Sequence, residues 1–89
     1  MERSNGTLVA EFAEVLRQVR LQAGMTQEDL AERAGVSVRF ISFLETGRRQ
    51  PSLSALAALS DGVGLPMSEL LRLLEDRQAA TPGRPAQNA

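Results

Sequence analysis

The chain predicts an all-α fold of five short helices, and three features of its pattern carry that reading. Apolar residues recur at spacings of three and four along most of its length. A serine or threonine precedes most of these runs, where a hydroxyl can cap a helix, and a glycine follows. No stretch alternates polar and apolar residues as a strand would, and no segment repeats.

Residues 1–6 read as a flexible start, 7–76 as the folded domain and 77–89 as a disordered tail rich in proline, glycine and alanine. Thr7 is placed to cap a first helix running to about Ala23, with Leu8, Phe12, Val15, Leu16 and Val19 apolar and Gly24 as its stop. Thr26 caps a second helix over 27–34. Its first turn, Gln27, Glu28 and Asp29, carries acids suited to the positive end of the helix dipole. Leu30, Ala31 and Ala34 form its apolar stripe, and Gly35 supplies the sharp turn that follows. Ser37 caps a third helix over 38–46, with Ile41 and Leu44 facing inward and Gly47 at its end. Arg48 to Pro51 form a loop. Ser52 caps a fourth helix to about Asp61, with Leu53, Leu56, Ala57 and Leu59 apolar, and Gly62 and Gly64 break it. Pro66 opens a fifth helix, 66 to about 76.

A chain of 89 residues is one small domain, with no room expected for a separate ligand-sensing unit. It has no cysteine, hence no disulfide and no thiolate metal site. It has no histidine, the commonest general base and metal ligand. No glycine-rich phosphate loop is present, and the Glu28–Asp29 pair is explained by a helix start. An enzyme is therefore not expected, nor is a cofactor or a metal. The N-terminal MERSNGT carries no long apolar stretch, so neither a signal peptide nor a membrane span is expected, and the default location is cytoplasmic.

The formal net charge is −1, whereas nucleic-acid binders are usually basic. Every cation is arginine. From Arg33 to Ser60 the charges are Arg33, Arg39, Glu45, Arg48 and Arg49, a local positive excess, while acids gather at Glu11 and Glu14 and at Glu69, Glu75 and Asp76. One face can thus be basic on a slightly acidic molecule.

The run Met25–Ser52, MTQEDLAERAGVSVRFISFLETGRRQPS, reads as helix, tight turn and helix, with the second helix free to present its N-terminus outward. This run resembles the helix-turn-helix of the lambda-repressor-like family, also called the XRE family, of Cro/C1 type. The resemblance begins near Leu16 with LRQVRLQAGMTQEDLA and continues through PSLSALAAL to LPMSELLRLL, about two thirds of the chain. Arg20, Gln27, Leu30, Ala31, Gly35, Ile41, Glu45, Gly47 and Pro51 keep the family spacing without a gap. It implies a five-helix lambda-repressor-like DNA-binding domain and a sequence-specific transcriptional regulator, a homodimeric repressor on a palindromic operator.

Under that resemblance double-stranded DNA is the partner. Ser37, Val38, Arg39, Phe40, Ser42 and Phe43 occupy the first turns of the recognition helix. Arg39 is the candidate for a bidentate contact to guanine, with a phosphate contact or a solvated charge as the plainer reading. Val38 suits a thymine methyl. Val38 and Phe43 are apolar where many relatives carry polar side chains, and two readings of Phe43 stand: a thymine-contacting ring, or a core residue on a slightly rotated helix. Phe40 is expected half-buried against the second helix. Gln27, Ser42, Arg48 and Arg49 are candidates for phosphate contacts. The resemblance also implies a structural ion pair between Arg20 and Glu45 that orients the recognition helix.

Val63, Leu65, Met67, Leu70, Leu71, Leu73 and Leu74 exceed what one face of a short helix can bury, which points to a homodimer interface there. The alternative is that these residues close a small core. The rival function is a protein-interaction module, antitoxin-like or binding another protein partner, with weak or no specific DNA binding.

Overall fold

The computed structural model describes residues 6–80. Among these described residues five helices follow one another: α1 (Gly6–Gln22), α2 (Gln27–Ala34), α3 (Val38–Glu45), α4 (Leu53–Val63) and α5 (Met67–Ala80). In α1 the spacing of Phe12, Val15, Leu16 and Val19 puts all four on one buried face.

Hydroxyls hold three of the helix starts. Thr26 Oγ1 accepts from the Asp29 N–H at 3.0 Å, and the Asp29 carboxylate accepts from the Thr26 N–H at 3.0 Å, a reciprocal capping box. Ser37 Oγ accepts from the Phe40 N–H and Ser52 Oγ from the Ala55 N–H, both at 3.0 Å. At Gly35 the backbone turns left-handed, with φ of 70°. The Gly35 N–H then donates to Glu32 O and the Val36 N–H to Ala31 O, which satisfies two carbonyls left open by the end of α2.

α2 packs on α3 and α4, while α1 packs on α3 and α5. Leu16, Leu30, Ile41, Leu44, Leu59 and Leu70 are fully enclosed where these elements meet. α3 is thus backed by α1 and α2 and leaves one side to solvent.

Several boundaries differ from the sequence expectation. α4 runs through Gly62 to Val63. Gly62 is buried in the helix because α2 lies against it: a Cβ there would sit 2.9 Å from Leu30 Cδ1. α5 continues to Ala80, so residues 77–80, assigned to the tail, are helical; Arg77, Gln78, Ala79 and Ala80 are all good helix formers. Gly6, assigned to the flexible start, lies in α1, so Thr7 sits inside the helix and is not its cap. Residues 1–5 and 81–89, the rest of the expected start and tail, lie outside the described residues.

The apolar excess near α5 is largely consumed within the protomer. Val63, Leu70 and Leu74 are buried in its own core, because α4 and α5 close over α1 and α2. Leu70, fully enclosed, has no surface to offer a second copy, while Val63 and Leu74 keep 9% and 8% of theirs. Leu65, Met67 and Leu73 are half-buried against the same core, and Leu71 remains exposed.

Candidate nucleic-acid interface

Two turns of α3 separate inward from outward residues. Ile41 and Leu44 are completely buried, while Ser37, Val38 and Arg39 are exposed at the helix start. Ser42 is half-buried, and its carbonyl accepts from the Thr46 hydroxyl at 2.9 Å. Phe40 is half-buried and packs against the core, as its position predicts. Phe43 is half-buried but stands outside the core cluster, so the rotated-helix reading is not what the fold shows.

The arginines of this region gather on the two phenylalanine rings. The Arg39 guanidinium carbon lies 5.3 Å from the Phe43 ring centroid and that of Arg48 lies 5.7 Å from it. Arg49 lies 5.8 Å from the Phe40 centroid. These are cation–π distances. Gly47, at φ of 75°, reverses the chain after α3 so that the Arg48 and Arg49 N–H groups both donate to Phe43 O, at 2.8 and 3.2 Å. Sequence reasoning missed these stacks. The four-residue spacing of Arg39 and Phe43 on one helix was the available signal for the first.

Behind α3, Arg20 grips Glu45 with two parallel bonds, Nε to Oε2 at 2.7 Å and Nη2 to Oε1 at 2.9 Å. Arg20 Nη1 also donates to Met25 O at 2.8 Å, which ties the end of α1 to the segment entering α2. The Glu45 side chain is 3% exposed. Its hydrogen bond is the main reason the Arg20 guanidinium is held above its ordinary pKa, and so firmly charged. Gln27 Nε2 donates to Glu45 Oε1 at 3.0 Å, so the first residue of α2 is held by the same carboxylate. This leaves one amide N–H of Gln27 for another partner.

The electrostatic consequence is direct. Between Val36 and Ser60 the charged residues are Arg39, Glu45, Arg48 and Arg49, and Glu45 is turned inward and paired. The outward charge of α3 and its following loop is therefore positive, although the whole chain is slightly acidic. Among the described residues no group of acidic side chains is arranged to hold a metal ion, and no helix is long and apolar enough to cross a membrane.

Residues 16–70 match the helix-turn-helix family model. The chain is 37% identical over 65 residues to the HTH-type transcriptional regulator DdrOP3 of Deinococcus deserti, covering 73% of this chain and 50% of that protein. It spans about half the length of the curated relatives it matches. The fold is similar to that of a variant of the restriction–modification controller protein C.Esp1396I, with a TM-score of 0.79 and 28% identity over 90% of this chain and 98% of that one. It is also similar to the C.Esp1396I tetramer in complex with its natural 35 base-pair operator, with a TM-score of 0.73 and 28% identity over 78% of this chain and 91% of that one.

Proposed function

Because the chain belongs to the helix-turn-helix family of lambda-repressor-like, Cro/C1-type regulators, we propose that it binds operator DNA as a homodimeric repressor. The observation that carries this reading is the outward start of α3. Ser37, Val38 and Arg39 are exposed there, and Arg39, Arg48 and Arg49 converge around the solvent side of the helix. A helix of this kind lies in the major groove with its first residues against base edges.

Arg39 reads a guanine through O6 and N7, a contact worth about 1–3 kcal/mol of discrimination. Val38 meets a thymine methyl. Arg48 and Arg49 grip the phosphate backbone, and Gln27 and Ser42 add neutral phosphate contacts that set the register. The Arg20–Glu45 pair touches no DNA and instead fixes the angle of α3. Few bases are within reach of one such helix, so two copies on a palindrome, with recognition helices about 34 Å apart, supply the missing specificity. A dimer seated on a promoter excludes competing proteins by occupancy alone, and repression is the direct outcome of such binding.

Selection from a randomised duplex pool tests the reading, run beside an Arg39→Ala variant. An enriched palindrome, relaxed at one position per half-site in the variant, is the expected result. Weak binding without enrichment in both proteins would overturn specific regulation and favour a protein-interaction module.

A further inference from the structure

We infer that Phe43 is a positioning residue: its ring holds the Arg39 and Arg48 guanidiniums as one pre-arranged pair facing the DNA. The inference rests on the operator-binding reading and deepens it, since it assigns Phe43 neither to a thymine contact nor to the core.

Three observations converge on this residue. Both guanidiniums lie within cation–π distance of its ring, at 5.3 and 5.7 Å. Its carbonyl accepts the Arg48 N–H at 2.8 Å, so the backbone and the ring of one residue both fix Arg48. Its side chain is half-buried and stands outside the core cluster, whereas Phe40 packs on that cluster.

The chemistry suits the task. A guanidinium held over a ring by the π face spends no N–H on that contact, so its donors stay available for guanine or phosphate. Arginine is flexible in isolation and loses rotamer freedom when it binds. A ring that already restricts two arginines reduces that loss for both. It also couples them: the residue that reads a base, Arg39, and the residue that grips the backbone, Arg48, share one platform.

The test has two arms. In the free protein, proton NMR should show the Arg39 and Arg48 side-chain δ protons shifted upfield by the ring current, and Phe43→Leu should abolish both shifts. Absence of these shifts in the natural protein would overturn the inference, whatever the protein does with DNA. In the second arm, affinity for the selected operator is measured for Phe43→Leu, Phe43→Tyr, Arg39→Ala and the Phe43→Leu/Arg39→Ala pair.

Phe43→Leu should lose about five- to thirty-fold in affinity, the ordering cost that two arginines no longer restrained by a ring pay on binding, while Phe43→Tyr stays near the natural protein. The thermal midpoint of Phe43→Leu should fall by less than that of a core substitution such as Leu70→Ala, because the ring lies outside the core and its contacts to the two arginines are exposed. The double variant should be weaker than Arg39→Ala by clearly less than the loss in Phe43→Leu alone. Strict additivity, or a loss in Phe43→Leu confined to one thymine position, would overturn the positioning role and make Phe43 a direct contact. If the natural protein shows its ring-current shifts but selects no operator, the operator-binding reading fails and the positioning role falls with it.

Discussion

Arg20 and Glu45 meet across the α1–α3 seam in a bidentate pair whose side chains are only 9% and 3% exposed. Removing one member strands a charge in that seam. Glu45→Ala should therefore cost about 3–5 kcal/mol, a large part of the stability of a domain this small. The double variant Arg20→Met/Glu45→Leu should lose less, since no charge is left unpaired. Urea denaturation measures both. A double variant as unstable as Glu45→Ala would show that packing, not the stranded charge, sets the loss.

Gln27 separates two roles that share one amide. Its bond to Glu45 is a side-chain hydrogen bond, so Gln27→Ala should cost about 0.5–1.5 kcal/mol of stability. If its remaining N–H meets a phosphate, the same variant should bind all duplexes more weakly by a similar factor. Because the amide is neutral, the slope of affinity against salt should not change, whereas Arg48→Ala should lower it by about one unit. Titrations at three salt concentrations decide. Unchanged DNA affinity in Gln27→Ala would limit the residue to bracing Glu45.

The starts of α2, α3 and α4 and the ends of α2 and α3 were legible in the sequence because the physics there is local. A hydroxyl at Thr26, Ser37 or Ser52 and a glycine at Gly35 or Gly47 act within a few residues of themselves. What required the fold was contact between distant elements. Gly62 looks like a breaker in a one-dimensional reading, yet it lies inside α4 because Leu30 and Ala34 of α2 approach it. Leu70, Leu71 and Leu74 are alike in composition, and only the packing of α5 on α1 and α4 separates the buried from the exposed. The exposed residues of α3 followed from its period. Of the two arginine contacts on Phe43, that of Arg39 is foreshadowed by the four-residue spacing, while Arg48 arrives only through the Gly47 reversal.

Gly62 yields a graded stability prediction. Alanine is favoured over glycine inside a helix by about 1 kcal/mol, but its Cβ would press on Leu30 Cδ1 at 2.9 Å. That atom is the end of a flexible side chain, so Gly62→Ala should fall near neutral. Gly62→Leu has no such escape and must push α2 from α4, at a cost of about 1–3 kcal/mol or more. Thermal melts of the two variants check the ordering. Equal stability of Gly62→Leu and the natural protein would contradict the close approach.

The cap of α2 makes a pH prediction. The Asp29 carboxylate accepts the Thr26 backbone N–H, which holds its pKa below the ordinary value of 3.8. A group depressed in the folded state adds stability above its unfolded pKa and loses it as pH falls through the folded value. Asp29→Asn should therefore be less stable than the natural protein at neutral pH, with the gap closing on acidification below 3.8. Urea midpoints across that range measure it. A gap that stays constant into acid would remove charge as the source of the cap's contribution.

Leu70 and Leu71 are adjacent in sequence and opposite in role, which allows folding to be separated from association. Leu70 is fully enclosed, so Leu70→Ala should cost about 2–5 kcal/mol. Leu71 is 39% exposed and borders a shallow apolar depression with Leu8, Val9 and Pro51. If the homodimer forms through this face, Leu71→Glu buries a carboxylate in the interface without disturbing the protomer. It should sediment as a monomer, melt near the natural temperature at low concentration, and lose affinity for a palindrome but not for a half-site. A Leu71→Glu protein that still dimerises would move the interface elsewhere, and a natural protein that stays monomeric on its own operator would remove the dimer. Because the two substitutions lie one residue apart, a loss of association in Leu71→Glu with an unchanged melt cannot be assigned to unfolding of α5.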